Sequence, residues 1–598
     1  MWGLADATAG LCRSSVKTGN FWVSFPIEDN KRVIGKHSQE LAECSNRQLW
    51  RAFWGVASPK SLGLRAQVHT RSKSPENLFA GAAAHGIRGK MSTAGATTST
   101  TAQAASRPSS FKIGHGIVNS TGSASLPQIL ARVLLYALPA VLFLRKFGIF
   151  DHDIWWHLAT GRWILQNHAL PHTDPFSVYG MDKPWFVYSW VFDLVMQGLN
   201  LKFGFVGIIF FEIAARVAIM VALFCLLQFL QTRFWIAVAL AALAFYAMSV
   251  VLAPRPAILT ILFSILELHL LLAAQRSGQA GKLWLLPPML LLWANWHIQF
   301  VYGLLILGVF ALDSAGQSVW HVELGSKNLG FRKLSAIFVA SLLATLVNPY
   351  GPKVYETVYQ YMHQPKVFSL VIELRAMDFR QAPHFVALFL MLAAAMAVGW
   401  RRQRRLLWPA LLFLAALLAF RSVKEIWFLS VVSTCALSDG WMEGLASKPS
   451  KLALRERLLV AVAVVALIAT AYRHYDVSND WVEIQVSGKF PEAAVRYIEK
   501  NHLAGPMYND FNDGGFVIWR LPWLRVAMDG RTNVHGDKRV GHSADVWNGN
   551  PVWESDPELL RANVVLAPRN AALTSLLRLD PRFRVVFQDA QAVVFQPR

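Results

Sequence analysis

The chain has 598 residues, 54% of them hydrophobic and only 16% charged, with a mean hydropathy of +0.34. An ordinary soluble domain carries roughly 25% charge, so a soluble enzyme of this size is excluded, as are disordered, collagen-like and disulfide-scaffold chains; a polytopic membrane protein remains. The formal net charge of +21 (58 Lys and Arg against 37 Asp and Glu) is spread as short basic clusters between apolar blocks, the pattern of membrane loops rather than of a nucleic-acid-binding face.

Residues 1–90 mix Trp, Ser, Lys and Arg without helical or strand periodicity and show no secretory-signal layout. Met91 opens a Ser/Thr/Ala-rich run to Ser125 that cannot bury a core. The expectation is a disordered extension over 1–125, with Met91 a candidate true start. Cys12, Cys44, Cys225 and Cys435 form no CxxC pair, so neither zinc nor a disulfide framework is indicated.

From Leu126 the apolar blocks repeat. A span needs roughly 20 residues to cross about 30 Å of hydrocarbon. Blocks of this kind lie near 126–149, 203–230, 233–252, 257–275, 283–297, 299–314, 333–348, 384–400, 406–421, 425–442 and 456–473. The fifth and sixth meet at Trp296 and His297, where either a kinked pair or one long helix fits. Counting eleven spans places the basic clusters (Arg233; Arg276 and Lys282; Lys327, Arg332 and Lys333; Arg401 to Arg405; Lys448 to Arg457) on one side, as positive-inside loops require. The other side receives a large loop, 150–202, and a tail, 474–598. In the tail PEAAVRYIEKNH and AALTSLLRL read as helices. PMYND, FVIWRL, LRVAMD, ANVVLAP, RVVFQD and AVVFQP read as strands, so a small α/β domain is expected there. The fold class is thus an all-α polytopic membrane bundle with a C-terminal extracytoplasmic α/β domain.

The loop after the first span is the densest polar and aromatic cluster: Asp151, His152, Asp153, Trp155, Trp156 and His157. Two carboxylates two residues apart at a membrane surface can hold a divalent cation or take a proton from a substrate. They can equally be solvated acids beside an aromatic belt. On the same side lie Arg255, His297 and Arg421, each at a span end, as candidate phosphate contacts or as snorkelling charges. Within the spans, Glu212 and Arg216 are four apart and can neutralise each other; Glu267 and His269 are two apart and point in different directions. In the tail, Asp510-Phe-Asn-Asp513-Gly-Gly fails the EF-hand spacing and reads as a turn, while Asp529-Gly-Arg531, after LRVAM, reads as either a ligand-facing strand end or a turn. No GxGxxG, Walker, HExxH or GxSxG element occurs.

The succession of a span, the acidic pair, WWHLATGRWIL, LPHTDPFS and KPWFVYSWVFD resembles bacterial membrane proteins of the GT-C glycosyltransferase superfamily, nearest the RgtA/B/C/D-like and oligosaccharyltransferase-like branch. NPYG at 348–351, AFRSVKEIWF, NDFNDGGFVIW and MDGRTNVHG extend the resemblance over about 126–598. It implies a GT-C-like domain over 126–473, an extracytoplasmic domain over 474–598, and inverting transfer from a polyprenyl-phosphate sugar. Asp151 and Asp153 then match the acidic motif as catalytic carboxylates, with Mg or Mn as a possible ligand of the pair. Lys183 lies where members keep a Lys-Pro element; His157, Lys183, Arg255, His297 and Arg421 become substrate-binding candidates. The sequence leaves open a non-catalytic or transport-related protein with the same shell, and a docking partner in an envelope complex.

Overall fold

The computed structural model describes residues 124–145, 151–231, 233–319, 329–400, 405–440 and 452–598. The expected N-terminal extension up to 123, the start at Met91, and the basic residues Lys327, Arg401, Arg402, Arg404, Lys448 and Lys451 lie outside them.

A helix occupies each of the predicted apolar blocks. In chain order the helices are α1 (Leu126–Arg145), α2 (Ile154–Asn167), α3 (Trp190–Phe203), α4 (Phe205–Leu230), α5 (Phe234–Met248), α6 (Ala257–Ser277), α7 (Leu286–Trp296) and α8 (Val301–Val319). They continue as α9 (Phe331–Thr345), α10 (Lys353–Met362), α11 (Pro365–Leu370), α12 (Ala382–Gly399), α13 (Leu407–Arg421), α14 (Ile426–Gly440) and α15 (Leu454–His474). Among the described residues, six helical segments are long and apolar enough to cross a membrane, which marks a multi-pass membrane protein. The other predicted spans are filled by shorter or more charged helices. At 1.5 Å per residue, the 11 residues of α7 reach only about 16 Å, half of a bilayer core.

Side-chain spacing shows how the helices sit. In α12, Phe385, Phe389, Leu392 and Met396 are exposed, and His384, Ala387, Leu390 and Ala394 are buried. Both rows follow the helical repeat, so one stripe meets the bundle and the opposite one is left for lipid. The run from 283 to 314 breaks at His297, which is extended at φ −158° and ψ 141°. The polar residues there serve other helix ends. Trp296 donates its indole N–H to the Pro256 carbonyl before α6 (3.1 Å) and Asn295 its amide to Val347 O after α9 (2.8 Å).

The tail adds α16 (Asn479–Lys489), α17 (Glu492–Lys500) and α18 (Gly514–Arg520), and a sheet of β1 (Met507–Asn509), β2 (Val564–Pro568), β3 (Phe583–Gln588) and β4 (Ala592–Pro597). The sheet order is β1-β2-β4-β3, with β1 parallel to β2 and the other pairs antiparallel. Two predicted strands are absent. FVIWRL lies in α18, and LRVAMD contributes only an isolated bridge from Val526 to Ser177. The glycine pair before FVIWRL lets that segment pack closely: a Cβ at Gly514 would lie 1.9 Å from Met528 O in the tail, and one at Gly515 2.9 Å from His152 O, just before α2.

The loop and the tail therefore share one core. Trp155 meets Phe205, Phe490 and Phe516 edge to face at 5.1–5.7 Å, and Ile154, Phe192, Val482, Val526 and Val564 belong to the same buried cluster. A buried ion cluster ties them as well. Arg531, 1% exposed, donates to Asp174 of the loop (2.6 Å) and Asp529 of the tail (2.7 Å), and lies over the rings of Phe176 and Trp185. Its charge holds the Asp529 carboxyl well below the usual range, although burial acts the other way. Removing one partner of a buried pair leaves an uncompensated charge and costs about 3–5 kcal/mol. Arg531→Ala is expected to destabilise the protein by that order and to expose the 150–202 loop to protease. Thermal unfolding and limited proteolysis in detergent test this, and wild-type behaviour would show that Arg531 is not what ties loop to tail.

Candidate functional site

The site starts from the chain leaving α1. Asp151 Oδ1 accepts the Asp153 N–H (2.8 Å), a turn that leads into α2, and Asp153 Oδ1 accepts the Trp156 indole N–H (3.2 Å). Arg255 comes from the turn between α5 and α6. Its Nε donates to Asp151 Oδ2 (2.6 Å), its Nη2 lies 3.2 Å from Asp153 Oδ2, and its Nη1 donates to Glu373. Burial raises the Asp153 carboxyl to about 6; Arg255 pulls it down, and Asp151 and Glu373 push it up.

The turn carrying Arg255 is anchored on both flanks. Trp296 holds the Pro256 carbonyl, and Arg216 Nη2 donates to Leu252 O (2.7 Å) while its Nε donates to Glu212 (3.1 Å). The Glu212–Arg216 pair expected from its spacing is therefore formed, and it also steadies the site.

Above this cluster opens a cavity of about 1310 Å³, lined by Asp153, His157, Arg255, His297 and Arg421 among others. The sequence candidates Asp153, His157, Arg255, His297 and Arg421 thus meet in one wall system, and Asp151 adjoins it through Arg255. The tail supplies part of the wall through Asn512, Gly530 and Thr532. A Cβ at Gly530 would stand 2.3 Å from Asp153 Oδ1, so only glycine fits there. Asp529-Gly-Arg531, for which a ligand-facing strand end and a turn both stood open, is a turn whose Gly530 lines the cavity.

Two histidines line the cavity with one ring nitrogen already engaged. His157 Nδ1 is 2.5 Å from Asp193 Oδ1, which also accepts the Ser189 hydroxyl (3.3 Å). Burial pushes the Asp193 carboxyl well up and the His157 ring well down, with Arg255 and His297 adding to the latter. His297 Nδ1 lies 3.0 Å from the Thr260 hydroxyl, which is 3.0 Å from Trp293 Nε1. An indole N–H only donates. Thr260 therefore accepts from Trp293, and its own proton has His297 Nδ1 as its only described acceptor. Neutral His297 then carries its proton on Nε2.

Lys183 departs from expectation. Its Nζ lies 2.9 Å from the centre of the Tyr179 ring and it does not line the cavity. The local turn, closed by Lys183 N–H to Gly180 O (2.8 Å), aims the ammonium at that ring, where the cation–π contact holds it. Glu373, Asp193 and Gly530 belong to the site without having been singled out for it. The expected divalent cation does not fit this arrangement. All four carboxylate oxygens of Asp151 and Asp153 are taken by Arg255, the Asp153 N–H and Trp156, and among the described residues no group of three or more His, Cys, Asp or Glu is placed to hold a metal ion.

No family model and no curated protein matches the chain. Among solved structures it is similar to the oligosaccharyltransferase of Archaeoglobus fulgidus in its apo form, at 11% identity and a TM-score of 0.45, covering 74% of this chain and 69% of that one. The same enzyme tethered to an acceptor peptide containing the NVT sequon gives 12% identity, a TM-score of 0.44 and the same coverage. These structures come from the oligosaccharyltransferase-like group that the sequence resembles. The likeness is one of broad outline, and the chemistry below rests on this chain's own residues.

A carboxyl at about 6 is protonated below that pH and ionised above it. Infrared difference spectra are expected to show a protonated-carboxyl band that fades as pH rises through about 6 and is missing in Asp153→Asn. A band that persists in the variant would assign the titration elsewhere.

Proposed function

We propose that this protein is a membrane glycosyltransferase that moves a sugar from a polyprenyl-phosphate donor to an acceptor on the extracytoplasmic face of a bacterial inner membrane, with eleven spans, the N-terminus inside and the tail outside. The observation that carries the reading is the meeting of Asp153, Arg255, His297 and Arg421 in one large cavity at an end of the helical bundle. Pockets for small ligands usually enclose about 300–1,000 Å³, so this one has room for a sugar phosphate and part of an acceptor.

The reaction needs a base for the acceptor hydroxyl and positive or hydrogen-donating groups for the leaving phosphate. Of the acidic pair after α1, Asp153 lines the cavity and Asp151 is held behind it on the same guanidinium. In the proposed step the acceptor oxygen bonds to the anomeric carbon and its proton passes to Asp153. The bond from that carbon to the phosphate oxygen breaks, and its electrons stay on the phosphate. His297, through Nε2–H, and Arg421 face the phosphate; His157 lies beside the base. Lys183 has no part in this assignment. Inversion at the anomeric carbon follows from the family resemblance.

The alternative, a carrier with a polar path between the faces, draws no support from Glu212 and Arg216, which pair with each other. Native mass spectrometry with a polyprenyl-phosphate sugar separates the readings. Wild type is expected to bind the donor and turn it over. Asp153→Asn is expected to bind it and lose about 10²–10⁴ in turnover, the usual contribution of a general base. Wild-type turnover should rise as pH passes about 6, where Asp153 ionises. Absence of donor binding, or wild-type turnover by Asp153→Asn, would overturn the assignment.

A further inference from the structure

The contacts of Arg255 carry a conclusion about cations that does not depend on the donor or the acceptor. Three carboxylates from two segments converge on this one side chain: Asp151 and Asp153 after α1, and Glu373 between α11 and α12. Each nitrogen of the guanidinium faces a different carboxylate. A planar fork can serve three acids in this way; a lysine ammonium, a compact point charge, cannot match its geometry. The Arg255 side chain is only 22% exposed. Its turn is pinned on one flank by Arg216 at Leu252 O and on the other by Trp296 at Pro256 O. The guanidinium is therefore delivered to the carboxylates from a backbone turn held on both flanks.

We propose that Arg255 is the resident cation of the Asp151–Asp153–Glu373 cluster, that it stands where a divalent metal would otherwise stand, and that the cluster takes no such metal while Arg255 is present. A metal entering here would have to displace the guanidinium from the oxygens it contacts on all three carboxylates. Removing the guanidinium would do the opposite. As placed the three carboxylates are not set to hold a metal, but without the guanidinium between them they could close on an oxygen-seeking divalent ion.

The test is Mn²⁺ binding to the full-length chain in detergent, followed by electron paramagnetic resonance, for wild type, Arg255→Ala and Arg255→Ala combined with Glu373→Gln. Wild type is expected to show no Mn²⁺ that depends on these carboxylates. Arg255→Ala is expected to gain one Mn²⁺ per chain with at least tenfold higher affinity than wild type, and the added Glu373→Gln to reduce that gain. A wild-type protein that binds one Mn²⁺, lost on Asp151→Asn, would overturn the proposal, and so would a folded Arg255→Ala that gains none. If Arg255→Ala does not fold, the wild-type titration with its Asp151→Asn control decides alone: a carboxylate-dependent Mn²⁺ refutes the proposal and its absence upholds it. The readout is metal occupancy, so a failure to turn over any sugar donor would leave the result intact.

Discussion

One guanidinium and three carboxylates, mostly shielded from water, impose the main constraint on this molecule. At an effective dielectric of 20, unit charges 4 Å apart interact by about 4 kcal/mol, so three acids brought together without a counter-charge would push their segments apart. Arg255 removes that repulsion at Asp151, Asp153 and Glu373 together. Much of the surrounding structure holds it there. The break at His297 frees the end of α7 so that Trp296 can reach Pro256, and the Glu212–Arg216 pair, one helix away, reaches Leu252. An ion pair inside a span and a kink in an apolar run, unrelated in sequence, are both supports for the same turn.

The cavity is completed by a second constraint, the packing of the tail onto the loop. The sheet does not touch the reacting region directly; the segments around it do. Gly515 lets α18 approach the backbone of His152, and Gly530 leaves space beside Asp153. Arg531, one residue further on, locks the same turn to Asp174. Cavity-lining and structural demands thus fall on adjacent residues, with Asp529 and Arg531 holding the position at which Gly530 lines the cavity.

Much of this was legible in the sequence, for definite reasons. Apolar blocks bounded by charge mark membrane helices because hydrocarbon admits few alternatives, and each predicted block contains a helix. Asp151, Asp153, Arg255, His297 and Arg421 stood out because the eleven-span reading put them all on one side. Glu373 and Asp193 carry no such mark: one lies in an ordinary connecting segment, the other within WVFDLVMQ, and only the folded chain brings them to Arg255 and His157. FVIWRL has the composition of a strand, yet the glycines before it decide its environment through tertiary contact. Lys183 was legible as a cation but not as one turned onto Tyr179, since ring and ammonium are four residues apart across a turn.

The shared core of loop and tail has a consequence for biogenesis. His152 donates its Nδ1–H to the backbone carbonyl of Asn512, 360 residues later in the chain. At about 5–20 residues per second, ribosomes need on the order of tens of seconds to make the intervening segment. Throughout that interval the first loop, with Trp155 and its acids, has been made but lacks the partners that bury it. Completion of the site is thus tied to completion of the polypeptide, and a chain cut short before α18 would carry every residue of the acidic cluster without the wall that encloses it.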